Sequence, residues 1–163
     1  MDDLELYLVL LLLLGIANGA PIFTKKLLGQ KLVTPLDLGL ILPDGQPLFG
    51  RGKTIRGLIV SVACTALAAE LLGLEWRIGA GIAASSMLGD LASSFIKRRL
   101  RLPPHAQAFG LDQVPEALLP LLVFRAPLNL SWWEICVLVV VFVVLEILLS
   151  RILFRLRIRD HPY

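Results

Sequence analysis

Runs of about 20 residues with scarcely a charge constrain this chain more than anything else in it. Leu4 to Ile22 and Trp132 to Phe154 are the clearest, and Leu58 to Leu74 and Ile78 to Ile96 have the same character. A helix of that length crosses the hydrocarbon of a bilayer, where every backbone N–H and C=O must be satisfied inside the segment. A further stretch, around Ala108 to Ala126, is apolar but broken by Pro115 and Pro120. Since 56% of the 163 residues are hydrophobic, the chain is too apolar for a soluble globule of its size. The expected fold is an all-α integral membrane protein, a single domain over residues 1–163 with about five transmembrane helices. The fourth is expected to be re-entrant or broken.

The placement of charge orients those helices. Lys25, Lys26, Lys31, Arg51, Lys53 and Arg56 fall between the first two runs, Lys97, Arg98, Arg99 and Arg101 follow the third, and Arg151, Arg155, Arg157 and Arg159 follow the last. The opposite ends hold Arg77 and Arg125, and the chain starts with Asp2, Asp3 and Glu5. The positive-inside rule therefore puts the N-terminus outside and the C-terminus in the cytoplasm, with loops 23–57 and 97–113 cytoplasmic. Five crossings satisfy that arrangement in a multi-pass cell-membrane protein. The first run lacks the basic leading region of a signal peptide and is read as a helix. Cys64 and Cys136 are too isolated for a disulfide framework or metal cluster and are read as packing residues. His105 and His161 are equally solitary.

Polar residues collect at the cytoplasmic ends. Ser86, Asp90, Ser94 and Lys97 recur at helical spacing, so one stripe of the third helix carries hydroxyls, a carboxylate and an ammonium. A carboxylate inside a span costs several kcal/mol on insertion scales and persists where it pairs or functions. An internal pair with Lys97 or Arg98 is the structural alternative. The loop before the second helix ends in Gly50 to Gly57, GRGKTIRG, where glycines and a helix start offer amides to an anion, with Lys53 and Arg56 beside them. It is not a Walker A motif, because Pro47 stands where that pattern needs glycine. Lipid-headgroup anchoring is the plainer reading of those two cations.

Asn18 ends the first run, as a substrate contact or as a helix-terminating amide bonded to its own backbone. Asp112 and Glu116 stand four apart, but Pro115 and Pro120 argue against one regular helix holding both. Glu146 lies within the last run, where a structural pair with Arg151 is expected. Two carboxylates and several cations at one end of an apolar bundle suit magnesium-assisted phosphoryl or nucleotidyl transfer to a lipid. An ion- or proton-coupled transporter or a membrane scaffold could hold Asp90, Glu116 and Glu146 in its spans as well.

Several motifs in one order carry a more specific likeness. They are Ala17, Asn18 and Gly19; Pro35, Leu36, Asp37 and Gly39; Asp44, Gly45, Leu48, Phe49 and Gly50; and Gly52, Lys53, Thr54, Arg56 and Gly57. Gly89, Asp90, Ser94, Phe95, Lys97, Arg98 and Arg99 follow, then Leu111, Asp112 and Gln113. On these residues the chain resembles the CDP-archaeol synthases, relatives of the CDP-diacylglycerol synthases, over nearly its whole length. The resemblance implies an enzyme that joins CTP to a lipid phosphate, releasing pyrophosphate and leaving a CDP-lipid. It implies Mg²⁺ held by Asp90 and Asp112, with Lys97 also in the catalytic set. Lys53, Arg56, Lys97 and Arg98 become phosphate contacts, and Asn18, Asp37, Thr54 and Ser94 further substrate contacts. CTP, a lipid phosphate and membrane lipids are the expected partners, nucleic acid is not, and homo-oligomerisation stays open. The wider group follows its Lys-Arg pair with a His-Gly-Gly and then an Asp-Arg with another Asp two residues on. Here Gln113 and Pro115 follow Asp112, which leaves the number of acidic ligands open.

Overall fold

The apolar runs fold as helices, and what stops each one is visible in its caps. The computed structural model describes residues 2–29, 31–103, 108 and 110–157. His105, His161 and Arg159 lie outside the described residues. The helices are α1 (Asp3–Leu28), α2 (Ile55–Leu71), α3 (Trp76–Arg99), α4 (Gln113–Val123) and α5 (Trp132–Arg155). Asp2 caps α1 by accepting from the Glu5 amide at 2.7 Å, and Thr54 caps α2 by accepting from Gly57 N at 3.2 Å. Ser131 and Glu134 close a reciprocal capping box on α5. Such caps satisfy amide groups that have no partner in the first helical turn.

Two expectations change at prolines. The first helix does not end near Ile22 but runs through Pro21 to Leu28. Proline leaves the carbonyl four residues earlier without its helical donor, and that carbonyl, Ala17 O, accepts instead from Ser61 Oγ of α2 at 2.7 Å. The fourth helix is shorter than the run that announced it: 11 residues, or about 17 Å at 1.5 Å per residue, against roughly 30 Å of hydrocarbon. Pro115 falls in its first turn, where no helical amide bond is lost. Of the described helices, α1 and α5 are long and apolar enough to cross a membrane by that measure alone.

Small residues set the helix spacing. A Cβ on Gly79 would meet Ala69 Cβ at 2.4 Å and Thr65 O at 2.6 Å, so α2 and α3 pack as their small-residue composition anticipates. A Cβ on Gly81 would strike the Phe124 ring at 2.2 Å, and one on Gly89 would meet Pro115 O at 2.3 Å. These two glycines seat both ends of α4 on α3. The core between the helices is aliphatic, with Leu10, Leu13, Leu14, Ile82, Leu121 and Ile135 fully buried. Buried hydroxyls turn back on their own helices: Thr65 donates to Ser61 O, Ser85 to Gly81 O and Ser93 to Gly89 O. Large apolar side chains such as Leu4, Ile59, Leu67, Leu88 and Val140 face outward, and Cys64 and Cys136 are both exposed. Tyr7 OH donates to Glu134 Oε1 at 2.6 Å at one end of the α1–α5 pair, and Lys26 Nζ donates to Arg157 O at 2.6 Å at the other.

The glycine- and proline-rich segment between α1 and α2 is built by long-range bonds. Leu36 N donates to Lys53 O at 2.8 Å and Ile55 N to Thr34 O at 3.0 Å, pairing the two ends of the segment. Between them a small hairpin joins Leu40 to Leu48 and Leu42 to Gln46. Arg99, at the end of α3, grips its tip: both Asp44 carboxylate oxygens accept from Arg99 Nη1, at 2.8 and 2.7 Å, and Pro47 O accepts from Nη2 at 2.6 Å.

Candidate active site

A cavity of about 1180 Å³ opens between α1, the start of α2, α3, α4 and α5. Its length is walled by Leu8, Leu11, Leu12, Leu145, Leu149 and Leu153, and its polar end holds Asn18, Lys53, Thr54, Arg56, Asp90, Glu116 and Glu146. Five of the residues expected in the site therefore share one wall space. Apolar walls with a few converging polar groups are the usual make-up of a ligand site.

The polar end is organised by Lys53. Its ammonium donates to Asp90 Oδ1 at 2.6 Å and lies 2.5 Å from Oδ2. Asp90 thus pairs across the fold with the loop, rather than along α3 with Lys97 or Arg98. The Lys53 side chain is 31% exposed and lines the cavity. Burial pulls the Lys53 ammonium down. The Asp90 charge and hydrogen bond, with Glu116 and Asp112 behind them, outweigh it and hold Lys53 above the usual lysine value.

Arg56 also faces the cavity while donating to Gly29 O at 3.2 Å and to Lys31 O, tying the start of α2 to the end of α1. Asn18 does not terminate its helix, which runs on to Leu28, although its amide does bond its own backbone. Its Nδ2 donates to Leu14 O of its own helix at 3.2 Å, and its Oδ1 accepts from Ser86 Oγ of α3 at 3.4 Å while the residue lines the cavity. Thr54 lines the cavity and caps α2 with the same hydroxyl.

The other expected residues stand outside the cavity lining. Lys97 Nζ and Asp112 Oδ1 are 2.5 Å apart, and Asp112 Oδ2 accepts from Ala108 N at 3.2 Å, so this second couple fixes the turn that starts α4. Arg98 is buried and donates to Pro103 O at 3.3 Å, and Ser94 is buried on α3. Asp37 sits in the loop, buried, where its carboxylate accepts from Gly39 N and Phe49 N at 3.0 Å and Gly50 N at 2.8 Å. Burial alone would raise that carboxyl, but the Gly50, Phe49 and Gly39 amides prevail and hold it below the usual aspartate value. With its oxygens so occupied, Asp37 shapes the segment that carries Lys53 rather than reaching into the cavity.

Glu116 was outside the expected site and proves to be inside it. It is 8% exposed and lines the same cavity as Asp90. Its signal in the sequence was a glutamate in an apolar segment four residues after Asp112. Glu146 of α5 also faces the cavity, within the field of Glu116. Among the described residues no three His, Cys, Asp or Glu side chains form a ready-made metal cage.

Fold and cavity together define an intramembrane enzyme whose charged end sits against walls suited to an amphiphile. A solved structure described as an intramembrane enzyme for archaeal membrane lipids biosynthesis matches with a TM-score of 0.76 and 29% identity, over 91% of this chain and 94% of that one. A family model described as CarS-like, CDP-archaeol synthase, matches residues 4–79 and 78–163. The CDP-archaeol synthase of Sulfurisphaera tokodaii is 36% identical over 91% of this chain and 89% of its own length, and that of Sulfolobus acidocaldarius is 32% identical over 91% of each. The chain belongs to the CDP-archaeol synthase family. It is accordingly a CTP-dependent nucleotidyltransferase of membrane-lipid biosynthesis, and the transporter reading falls away.

Proposed function

We propose that the polar end of the cavity binds the triphosphate of CTP and presents its α-phosphorus to a lipid phosphate whose chains lie along the leucine walls. The observation that carries this is the Lys53–Asp90 couple in the lining of a largely apolar cavity. Lys53 and Arg56 hold phosphate oxygens in the cavity, and Lys97 and Arg98, further along α3 and outside its lining, take the outer phosphates by leaving their present partners Asp112 and Pro103 O. Asn18 and Thr54 offer an amide and a hydroxyl on the same wall. Ser94 backs this face of α3 from within, and Asp37 acts by holding the loop.

The donor set fits Mg²⁺ as it is held with nucleotides, by one or two carboxylates with phosphate and water completing its octahedron. Asp90 and Asp112 would hold it; both carboxylates keep exposed surface, 18% and 23%, and both lie within the field of Lys53. When bound, the ion neutralises negative charge on the polyphosphate. The chain's own residues align the rest. A lipid phosphate oxygen, already anionic, attacks the α-phosphorus, the bond from that phosphorus to the bridging oxygen of the β-phosphate breaks, and pyrophosphate leaves. No strong general base is needed. Cations fixed where charge shifts onto the departing pyrophosphate stabilise the transition state.

The ends of α1, α3 and α5 and the start of α2 carry the cationic groups, so the site faces the cytoplasm under the positive-inside rule. Purified protein supplied with Mg²⁺, cytidine-labelled CTP and an ether-linked isoprenoid lipid phosphate is expected to move label into the organic phase, and Asp90→Asn to stop it. Phosphatidic acid assayed alongside identifies the acceptor. No incorporation into either lipid sinks the proposal.

A further inference from the structure

We infer that Arg51 is a further phosphate-binding residue of this enzyme, its guanidinium taking oxygens of a substrate phosphate in the cavity that Lys53 lines; this rests on the nucleotidyltransfer reading above. Among the described residues four cations line that cavity: Lys25, Arg51, Lys53 and Arg56. Three of them are engaged within the protein. Lys53 pairs with Asp90, Arg56 donates to Gly29 O and Lys31 O, and Lys25 has an interaction of its own. Arg51 is exposed, and among the described residues nothing accepts from its guanidinium.

The backbone beneath that side chain is braced on both sides. Gly50 N donates to the Asp37 carboxylate at 2.8 Å, and Lys53 N donates to Gly50 O at 3.2 Å, which makes Arg51 the second residue of a tight turn. Leu36 N then donates to Lys53 O at 2.8 Å and holds the far end of the turn. Binding through Arg51 therefore orders one side chain and not a loop, which keeps its entropic cost low. An arginine presents a planar fork of N–H groups that meets phosphate oxygens two at a time. The reaction brings two anionic groups into one cavity, the polyphosphate of CTP and the lipid phosphate. The Lys53 charge is already set against Asp90, so Arg51 supplies attraction that the couple lacks. Anchoring at lipid headgroups would need no place in the cavity lining.

The test is steady-state kinetics of the full chain in a neutral detergent, with KM measured separately for CTP and for an ether-linked isoprenoid lipid phosphate. Arg51→Ala is expected to raise one of the two KM values by roughly tenfold or more with a smaller change in kcat, and Arg51→Lys to recover part of the loss. Whichever KM rises identifies the source of the phosphate. The unfolding temperature is expected to hold, since no bond within the protein is removed; should Arg51→Ala fail to fold, Arg51→Gln decides the matter. Wild-type KM values for both substrates in a folded variant would overturn the inference. So would a loss seen only in phosphatidylglycerol vesicles, which would make Arg51 a headgroup anchor. Lys53→Ala in the same series separates the two levels. A KM raised there and unmoved in Arg51→Ala removes Arg51 alone; KM values unmoved in both variants place the phosphates outside this cavity.

Discussion

Lys53 and Asp37 divide the work of one loop. Lys53 reaches the cavity, and Asp37 holds the backbone that delivers it. Replacing Lys53 by Ala leaves Asp90 without its ammonium and CTP without a phosphate contact. One charge-assisted hydrogen bond is worth roughly 1.5–3 kcal/mol, so kcat/KM for CTP is expected to fall about 10- to 100-fold in steady-state assays. Asp37→Ala removes the acceptor of three amide donors, at about 1–3 kcal/mol for each that stays buried, and is expected to lower the unfolding temperature in detergent. The pH dependence has a definite sign. Asp37 is held below its ordinary pKa in the folded protein, so its contribution is complete above the ordinary aspartate range and is lost as pH falls through the depressed value. Asp37→Asn is therefore expected to flatten the acid limb of the stability curve, and an unchanged acid limb would contradict the role. Asp90, Lys53, Arg56 and Asn18 were legible in the sequence because each is a polar group in or beside an apolar run. Asp37 was legible as a matched residue but not as a loop brace, because its partners Phe49 and Gly50 are 12 and 13 residues away. No local pattern encodes that pairing.

Helix elements were read well where the cause was local, and poorly where it was tertiary. The apolar runs that became α2, α3 and α5 needed no knowledge of neighbours. The continuation of α1 past Pro21 depends on a hydroxyl from α2, and the seating of α4 depends on glycines of α3. Gly89→Ala tests that seating. Its new methyl would meet backbone, which cannot rotate away as a side chain can, so the cost is expected near the 1–3 kcal/mol of overpacking, with activity falling because α4 is pushed off α3 next to Asp90. Gly15→Ala on α1 meets nothing within 4 Å and is expected to leave the unfolding temperature unchanged or to raise it. Similar losses in both variants would mean that helix propensity, not the α3–α4 contact, is being measured. The Arg99 grip on Asp44 works between elements in the same way. Arg99→Ala is expected to release the hairpin and raise KM for CTP with a smaller change in kcat, because the loop bearing Lys53 loses an anchor while the cavity groups remain.

At the scale of the whole molecule the bundle keeps two solvents apart. Leucines that face outward and leucines that wall the cavity offer lipid chains apolar surface, while the cations gather where α1, α3 and α5 end and α2 begins. That polarity was legible from charge placement alone, and the family from motif order. The cavity was not, since it exists only where five elements meet. The most direct measurement is a paired count in one reaction: cytidine label entering the lipid phase and pyrophosphate appearing in the water. Wild-type protein with Mg²⁺ and an ether-linked lipid phosphate is expected to produce the two in equal amounts, and Asp90→Asn neither. Pyrophosphate without CDP-lipid, CDP-lipid without pyrophosphate, or undiminished turnover in Asp90→Asn would contradict a cytidylyl transfer centred on this cavity.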